Sequence, residues 1–128
     1  MIIGIGTDII DISRIENVIN KYGNKFKERC FTKKEIKRSE NKFYTTNSYA
    51  KRYAAKEACS KALGTGLARG ILWKDIEITN DKYGKPNIEL HNRALIRINK
   101  LTKKKYRIDV SLSDEKVFAI ANVVISEI

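Results

Sequence analysis

The sequence predicts an α+β fold in which a mostly antiparallel sheet packs against helices. Strand-like segments occur at the start of the chain and as two pairs in its second half, while helical segments dominate the region between them. This partial segregation of helices and strands is typical of α+β domains. With 128 residues, of which 42% are hydrophobic, the chain is long enough for one domain with one core, so we expect a single domain over residues 1–128.

The first strand is predicted over residues 1–7, where the sequence is apolar and β-branched. Asp8 follows it, and a helix is predicted over residues 11–22 because apolar residues recur there at helical spacing. Asp8 therefore falls where a strand ends and a helix begins. That position suits a functional carboxylate and equally suits a helix N-cap or a turn residue, and spacing alone does not separate these interpretations.

A strongly basic stretch extends from Lys21 to Lys42, with nine basic and three acidic residues and hence a net charge of +6. Within it, Thr32 and Glu35 have the spacing of a capping box, which predicts the start of a short helix. The charges indicate either a solvated helix face or a docking surface for an acidic partner. We favour the docking surface, because basic residues strongly outnumber acidic ones within this stretch.

A long central helix is predicted to begin at the N-cap candidates Asn47 and Ser48 and to end at Gly64. An adjacent face of this helix carries Glu57 and Lys61, one turn apart. This spacing favours an ordinary surface ion pair, and the alternative is a carboxylate for a metal beside an ammonium for a phosphate. Small side chains recur every four residues along one face: Ala50, Ala54, Ala58 and Ala62.

The second half of the chain is predicted as two hairpins separated by an amphipathic helix, because alternating segments are joined there by turn-forming residues. The predicted strands of the first hairpin cover residues 75–79 and 86–90, the helix covers 91–101, and the strands of the second hairpin cover 106–113 and 117–125.

The composition narrows the possible chemistry and location. Two distant cysteines, Cys30 and Cys59, cannot form a disulfide framework, so we expect buried thiols in a reducing cytoplasm. The only histidine, His91, leaves no easy route to a Ser-His-Asp triad or a zinc cluster. Acid–base chemistry would then use carboxylates, lysines, water or a metal. We expect no signal peptide, and no apolar run approaches the roughly 20 residues of a membrane span.

Three stretches combine into one pattern. They are GIGTDIIDISRIE from Gly4, YAAKEACSKALG from Tyr53 and VSLSD from Val110. In order and spacing they resemble the holo-acyl-carrier-protein synthases, a family of 4′-phosphopantetheinyl transferases, over essentially the whole chain. The resemblance implies the fold of that family and a homotrimer whose active sites lie at subunit interfaces.

The resemblance also implies a reaction. Family members transfer the phosphopantetheine arm of coenzyme A to a serine of apo acyl-carrier protein in fatty-acid biosynthesis, release adenosine 3′,5′-bisphosphate and require magnesium. Asp8 and Glu57 match the metal ligands, and Lys61 matches the lysine beside the phosphates. This set agrees with the chemistry of Mg²⁺, which binds one or two carboxylates together with substrate phosphates. The general base stays open between a metal-bound water and a carboxylate.

Further positions follow from the same motifs. Arg14 lies on the helix that family members present to the carrier protein, and Lys21 and Lys25 belong to the basic stretch beside it. One position departs from the family, because Asp109 stands where many relatives have a histidine, so a cationic contact there is not expected. The positions implied to bind coenzyme A are Lys56, Ser60, Lys61, Gly64, Lys85 and Pro86.

Two functions from other classes compete with this interpretation. The net charge of +11 would also suit a small basic nucleic-acid-binding module. However, the sequence lacks an RNA-recognition aromatic motif, and aromatic residues do not alternate regularly with the basic ones. A non-catalytic trimeric scaffold has less support. We therefore expect coenzyme A and apo acyl-carrier protein as partners, and neither nucleic acid nor a membrane.

Overall fold

Five helices and five strands make up the chain in the computed structural model, which describes residues 1–128. Every strand pairing is antiparallel, and the helices pack against the sheets, so the predicted α+β class is confirmed. None of the helices combines the length and hydrophobicity that a segment crossing a bilayer needs. The order is β1 (Ile2–Asp11), α1 (Ile12–Tyr22), α2 (Asn24–Cys30), α3 (Lys33–Glu40), α4 (Thr45–Ala62), β2 (Ile76–Asn80), β3 (Pro86–Leu90), α5 (Asn92–Leu101), β4 (Tyr106–Asp114) and β5 (Phe118–Glu127).

The strands form two separate sheets. The larger has the order β1-β5-β4, so the last strand of the chain lies between the first strand and its own hairpin partner. The smaller is the hairpin of β2 and β3. In the larger sheet Asp8 lies opposite Ala121, and in the smaller one Glu77 lies opposite Glu89. Both predicted hairpins are therefore present.

Helix α4 and strand β1 are in backbone contact. A Cβ atom added to Gly4 would lie closer than 3.0 Å to the carbonyl oxygen of Ala62, and one added to Gly6 would do the same at Ala58. Only glycine permits this approach, because it has no Cβ. The alanine stripe of α4 is buried against the sheet. This packing places the strand that carries Asp8 against the last turns of α4.

The cysteines lie in the core. Cys30 and Cys59 are both free and buried, as predicted. Burial raises the pKa of the Cys30 thiol to about 11 and that of Cys59 to about 12. Both side chains therefore stay protonated at neutral pH and pack as small apolar groups.

The prediction that the first strand ends before Asp8 was wrong. Strand β1 continues to Asp11, because residues 118–121 of β5 supply antiparallel partners for residues 8–11. The carboxylate of Asp11, not that of Asp8, caps α1 by accepting a hydrogen bond from the backbone N–H of Ser13 at 2.9 Å. Asp8 thus projects from within a paired strand.

The predicted start of the central helix was also wrong. Helix α4 begins at Thr45 after Tyr44, which forms no side-chain cap. Asn47 and Ser48 lie inside the helix, and their side chains form tertiary hydrogen bonds to Asp114 and Ser39, both at 2.8 Å. Helix α2 was not predicted at all, whereas the capping box of Thr32 and Glu35 at the start of α3 is present.

Candidate active site

Asp8 and Lys61 meet at the surface where β1 crosses α4. The Lys61 Nζ atom lies 3.0 Å from Asp8 Oδ1 and 3.0 Å from the carbonyl oxygen of Thr7. The Lys61 side chain is 50% exposed and that of Asp8 is 15% exposed. An ammonium group has three N–H donors, so one remains free to contact an anion from solvent.

Glu57 completes this cluster from the preceding turn of α4. No salt bridge within 4.0 Å joins it to Lys61, because Lys61 turns to Asp8 instead. Burial raises the pKa of Glu57, and the negative charge of Asp8 raises it further, while Lys61 and Arg14 lower it. The ordinary helical ion pair is therefore not formed. Two carboxylates instead lie close enough to repel each other, which is the electrostatic condition that a bound cation relieves.

An aromatic pair begins one helical turn before Glu57. Tyr53, one turn before Glu57 on α4, stacks on Trp73 with 4.3 Å between ring centroids. Burial raises the pKa of the Tyr53 phenol, and the charge of Glu57 adds to this effect, while Arg14 opposes it. Arg14 therefore lies within electrostatic reach of the cluster, although it belongs to α1.

Ser60 and Gly64 lie on the same end of α4 but serve its backbone. Ser60 is buried, and its hydroxyl donates a 2.7 Å hydrogen bond to the carbonyl oxygen of Glu57. Gly64 follows the helix with a φ of +80°, a conformation that favours glycine. Their contacts with coenzyme A stay predictions, since the geometry shows only that both lie next to the cluster.

Lys56 lies apart from the cluster, in the protein interior. Its ammonium lies 2.7 Å from Glu35 Oε1 and 3.0 Å from the carbonyl oxygen of Trp73, and both charged side chains are 0% exposed. The pKa of Lys56 is lowered by burial, and the charge of Glu35 partly offsets this. The prediction that Lys56 contacts coenzyme A finds no support in this placement, because the side chain points into the core.

A second candidate region is a basic cavity of about 710 Å³ between the β2–β3 hairpin, the start of α4 and β4. Gly84 and Pro86 line it, whereas Lys85, which lies between them in the chain, is exposed and does not. Serine and leucine of the VSLSD stretch, Ser111 and Leu112, form the opposite wall. It shares no lining residue with the carboxylate cluster. Its cationic lining residues are Arg38, Lys42, Lys51 and Arg52.

Comparison with known proteins identifies the family. A model of the 4′-phosphopantetheinyl transferase superfamily matches residues 4–121. The chain belongs to this superfamily. The predicted resemblance to the holo-acyl-carrier-protein synthases is thereby confirmed.

Individual relatives agree over their full lengths. A holo-[acyl-carrier-protein] synthase of Rhizobium meliloti (strain 1021) is 49% identical over 127 residues, which cover 98% of this chain and 91% of the relative. The solved synthase of Neisseria meningitidis is 36% identical, with a TM-score of 0.86 and coverage of 99% and 100% of the two chains. The Helicobacter pylori synthase, solved in complex with coenzyme A, is 34% identical, with a TM-score of 0.82 and coverage of 95% and 99%.

The positions predicted for carrier-protein contact lie on the adjacent helices α1 and α2. Arg14 and Lys21 project from α1, and Lys25 projects from the start of α2. All three are exposed, and none forms a salt bridge within 4.0 Å. Asp109, the position predicted to depart from the family, is exposed on β4 and pairs with Arg107 at 2.9 Å.

The four cations of the cavity were not identified from the sequence. Arg38 and Lys42 lie within the basic stretch, which indicated an acidic partner without saying which of its residues share a cavity. Lys51 and Arg52 lie on α4 directly before the motif that begins at Tyr53. Charge density alone was the available signal, because the cavity depends on tertiary contact between α4, the hairpin and β4.

Proposed function

We propose that this chain transfers the 4′-phosphopantetheine group of coenzyme A to a serine of apo acyl-carrier protein, giving holo acyl-carrier protein and adenosine 3′,5′-bisphosphate. The observation that carries the proposal is the surface cluster of Asp8, Glu57 and Lys61, built from two of the family's sequence stretches. Relatives across the full chain bear the synthase name, and one was solved with coenzyme A. Since both cysteines are free thiols, we place the enzyme in a reducing cytoplasm.

The donor set of the cluster fits a magnesium ion. Asp8 and Glu57 offer only oxygen ligands, which Mg²⁺ prefers, and their mutual repulsion contributes to the raised pKa of Glu57. When bound, magnesium supplies positive charge to the phosphate oxygens on which negative charge develops. The carboxylates hold the ion, and the partner protein brings the serine nucleophile.

Lys61 binds the phosphate of the substrate in this proposal. Asp8 and Thr7 accept hydrogen bonds from two of its N–H donors. The third donor is available to a ligand, because the side chain is half exposed. A fixed ammonium next to the phosphate stabilises charge on the transferred group and on the departing bisphosphate. Such electrostatic stabilisation is a main source of catalysis in phosphoryl transfer.

The basic cavity provides a place for the nucleotide end of coenzyme A, which carries phosphate groups. Asp114 also lines the cavity and pairs with Lys51 at 3.3 Å. Arg38 and Lys42 form no salt bridge within 4.0 Å, and their charges complement such a ligand. The cavity and the carboxylate cluster have no lining residue in common. We therefore propose that the cavity of one protomer adjoins the cluster of its partner in a homotrimer, as the family resemblance implies.

An exposed apolar face supports this assembly. Ile5 and Ile9 of β1 and Phe118 of β5 lie on the outer side of the large sheet and are 68%, 57% and 47% exposed. Thr7 and Asn122 lie between Ile5 and Ile9 on this face and form a 2.8 Å hydrogen bond, so the apolar side chains flank a polar pair. Large exposed apolar side chains grouped on one surface mark protein interfaces. The occupant that we propose is the equivalent sheet of the other protomers.

The unpaired cations of α1 and α2 form the docking side for the carrier protein. Arg14, Lys21 and Lys25 are exposed, so their charges attract an acidic partner from solution. Arg14 also lies within electrostatic reach of Glu57, which connects the docking side with the reacting serine.

One assay tests the proposal directly. The protein is incubated with coenzyme A, Mg²⁺ and apo acyl-carrier protein, and the carrier is weighed by mass spectrometry. We expect the mass of one phosphopantetheine group to be added. Glu57→Gln should prevent the gain, while Glu115→Gln in the exposed β4–β5 turn is the matched control and should not. Salt-dependent nucleic-acid binding without any mass gain would instead support the basic binding module.

A further inference from the structure

Three metal-ligating side chains converge near the open end of the small sheet. Glu77 of β2 and Glu89 of β3 lie directly opposite each other and hence on the same face. His91 follows two residues later in extended conformation, so it lies on that face as well. One ligand atom from each residue lies within 4.8 Å of the other two, and His91 Nε2 is 3.1 Å from Glu77 Oε1.

The two carboxylates differ in their local compensation. Like charges that lie directly opposite on neighbouring strands destabilise a sheet. Glu89 forms neither a salt bridge within 4.0 Å nor a side-chain hydrogen bond, although the chain carries 26 lysine and arginine residues. Glu77 has the Thr32 hydroxyl and His91 as partners, at 2.6 and 3.1 Å, whereas the fold provides no partner for Glu89.

The orientation of the Glu77 carboxylate is fixed by its surroundings. Its side chain is 8% exposed, and its Oε2 atom accepts a 2.6 Å hydrogen bond from the hydroxyl of Thr32. This contact leaves Oε1 facing His91. The backbone of His91 is also fixed, because its N–H donates to the carbonyl oxygen of Asp75 at 2.8 Å. Hydrogen bonds of this kind orient the residues that coordinate a metal ion.

We propose that Glu77, Glu89 and His91 bind one divalent transition-metal ion, of the Zn²⁺ or Mn²⁺ class, with water in the remaining positions. One imidazole and two carboxylates suit these ions, whereas Mg²⁺ prefers an all-oxygen set such as Asp8 and Glu57. Ligand atoms about 2.1 Å from one ion lie roughly 3.0–3.5 Å apart, and the 3.1 Å between His91 and Glu77 matches this spacing.

The exposed side chain of Glu89 completes the ligand set by a small rotation. The bound ion would join β2, β3 and the residue before α5, and through Thr32 it would also adjoin the start of α3. Its role is structural, because it neutralises the opposed carboxylates and holds the hairpin whose far end lines the basic cavity.

Calorimetric titration of the full chain with Zn²⁺ in saturating Mg²⁺ tests this site. We expect one Zn²⁺ per chain and a higher melting temperature, since binding to the native state stabilises it. Glu89→Gln and His91→Gln should each weaken Zn²⁺ binding at least about tenfold. The matched control Glu115→Gln and the catalytic variant Glu57→Gln should bind Zn²⁺ like the wild type.

Two results would overturn the proposal. If His91→Gln remains folded by thermal melting and binds Zn²⁺ with wild-type affinity, then Glu77 and His91 form only an ion pair. If Zn²⁺ binding is lost in Glu57→Gln and kept in Glu89→Gln, the ion belongs to the catalytic carboxylates. Neither result depends on transferase activity, so the proposed function is tested separately.

Discussion

Helix α4 carries two lysine–carboxylate pairs that have the same chemistry and opposite surroundings. Lys56 and Glu35 lie 2.7 Å apart with both side chains 0% exposed, whereas Lys61 and Asp8 lie 3.0 Å apart with Lys61 50% exposed. The two lysines are only five residues apart, or about 7.5 Å along the helix axis. Burial, and not the identity of the charged groups, separates a fixed structural pair from one that a ligand can rearrange.

The buried pair is fully satisfied by hydrogen bonds. Besides Lys56, the carboxylate of Glu35 accepts from the backbone N–H groups of Thr32 and Ile78, at 2.8 and 2.9 Å. Lys56 also donates to the carbonyl oxygen of Trp73. This network joins α3, α4 and β2. Removing either charge would leave the other buried in the interior without a counter-ion. The surface pair of Lys61 and Asp8 has no such constraint, since water can replace either partner.

Breaking the buried pair should give the largest effect. Lys56→Met removes the ammonium and leaves the Glu35 carboxylate buried without its counter-ion, which should lower the free energy of unfolding by about 3–5 kcal/mol. Urea denaturation measures this loss. Lys61→Met is the matched control and should change stability by less than about 1 kcal/mol, because its pair is exposed. If both variants lost similar stability, the burial of the Lys56–Glu35 pair would not make it more important for folding than the Lys61–Asp8 pair.

Removing a charge from the exposed cluster should act on catalysis instead. Glu57→Gln and Asp8→Asn keep the shape of the side chain and should lower kcat/KM at least about 100-fold while the protein stays folded. Both should also lose the rise in melting temperature that Mg²⁺ gives the wild type. The measurement is carrier modification against Mg²⁺ concentration. Wild-type turnover of Glu57→Gln at low Mg²⁺ would disprove its role as a ligand.

Lys61→Ala should lower turnover without removing Mg²⁺ binding by the cluster. Without the ammonium, we expect kcat to fall roughly tenfold, because charge on the transferred phosphate loses one stabilising partner. The stabilisation by Mg²⁺ should persist, since both carboxylates remain. Thermal melting with and without Mg²⁺, run beside the turnover assay, distinguishes the two effects. Loss of the Mg²⁺ effect in this variant would mean that Lys61 organises the metal site itself.

The smallest expected effect concerns the stability of the metal-free protein. Because the folded state raises the pKa of Glu57, its ionisation costs stability as pH increases from the unfolded value of 4.5 through the folded value. Glu57→Gln should therefore be slightly more stable than the wild type at pH 7, by at most about 0.5 kcal/mol after solvent screening. This advantage should vanish below pH 4.5. A variant less stable at pH 7 would show that burial and the charge of Asp8 do not disfavour the ionised form of Glu57.

Local sequence patterns predicted much of the fold. The alternation in the second half of the chain gave both hairpins within one or two residues, and the Thr32–Glu35 spacing gave the start of α3. The wrong end of β1 has a non-local cause. Strand β1 passes Asp8 because its pairing partners lie more than 100 residues later in β5, and no local pattern reports such a partner.

The candidate site shows the same division. The motif resemblance predicts Asp8, Glu57 and Lys61 together. In the structure Asp8 and Lys61 contact each other, and Glu57 lies within electrostatic reach of both. Lys56 stands in the same motif, yet it faces the interior. Its direction depends on Glu35, 21 positions earlier, which is buried by tertiary packing. A motif states which residues occur together but not which of them face solvent.

The two buried thiols bear on the redox behaviour of an enzyme that handles coenzyme A, whose reactive end is itself a thiol. Thiol–disulfide exchange proceeds through the thiolate, and burial holds the pKa of Cys30 at about 11 and that of Cys59 at about 12. Mixed disulfides between the enzyme and its substrate are therefore suppressed both by access and by protonation. Oxidised coenzyme A should leave the folded protein unmodified, and alkylating reagents should reach its sulfur atoms only after unfolding.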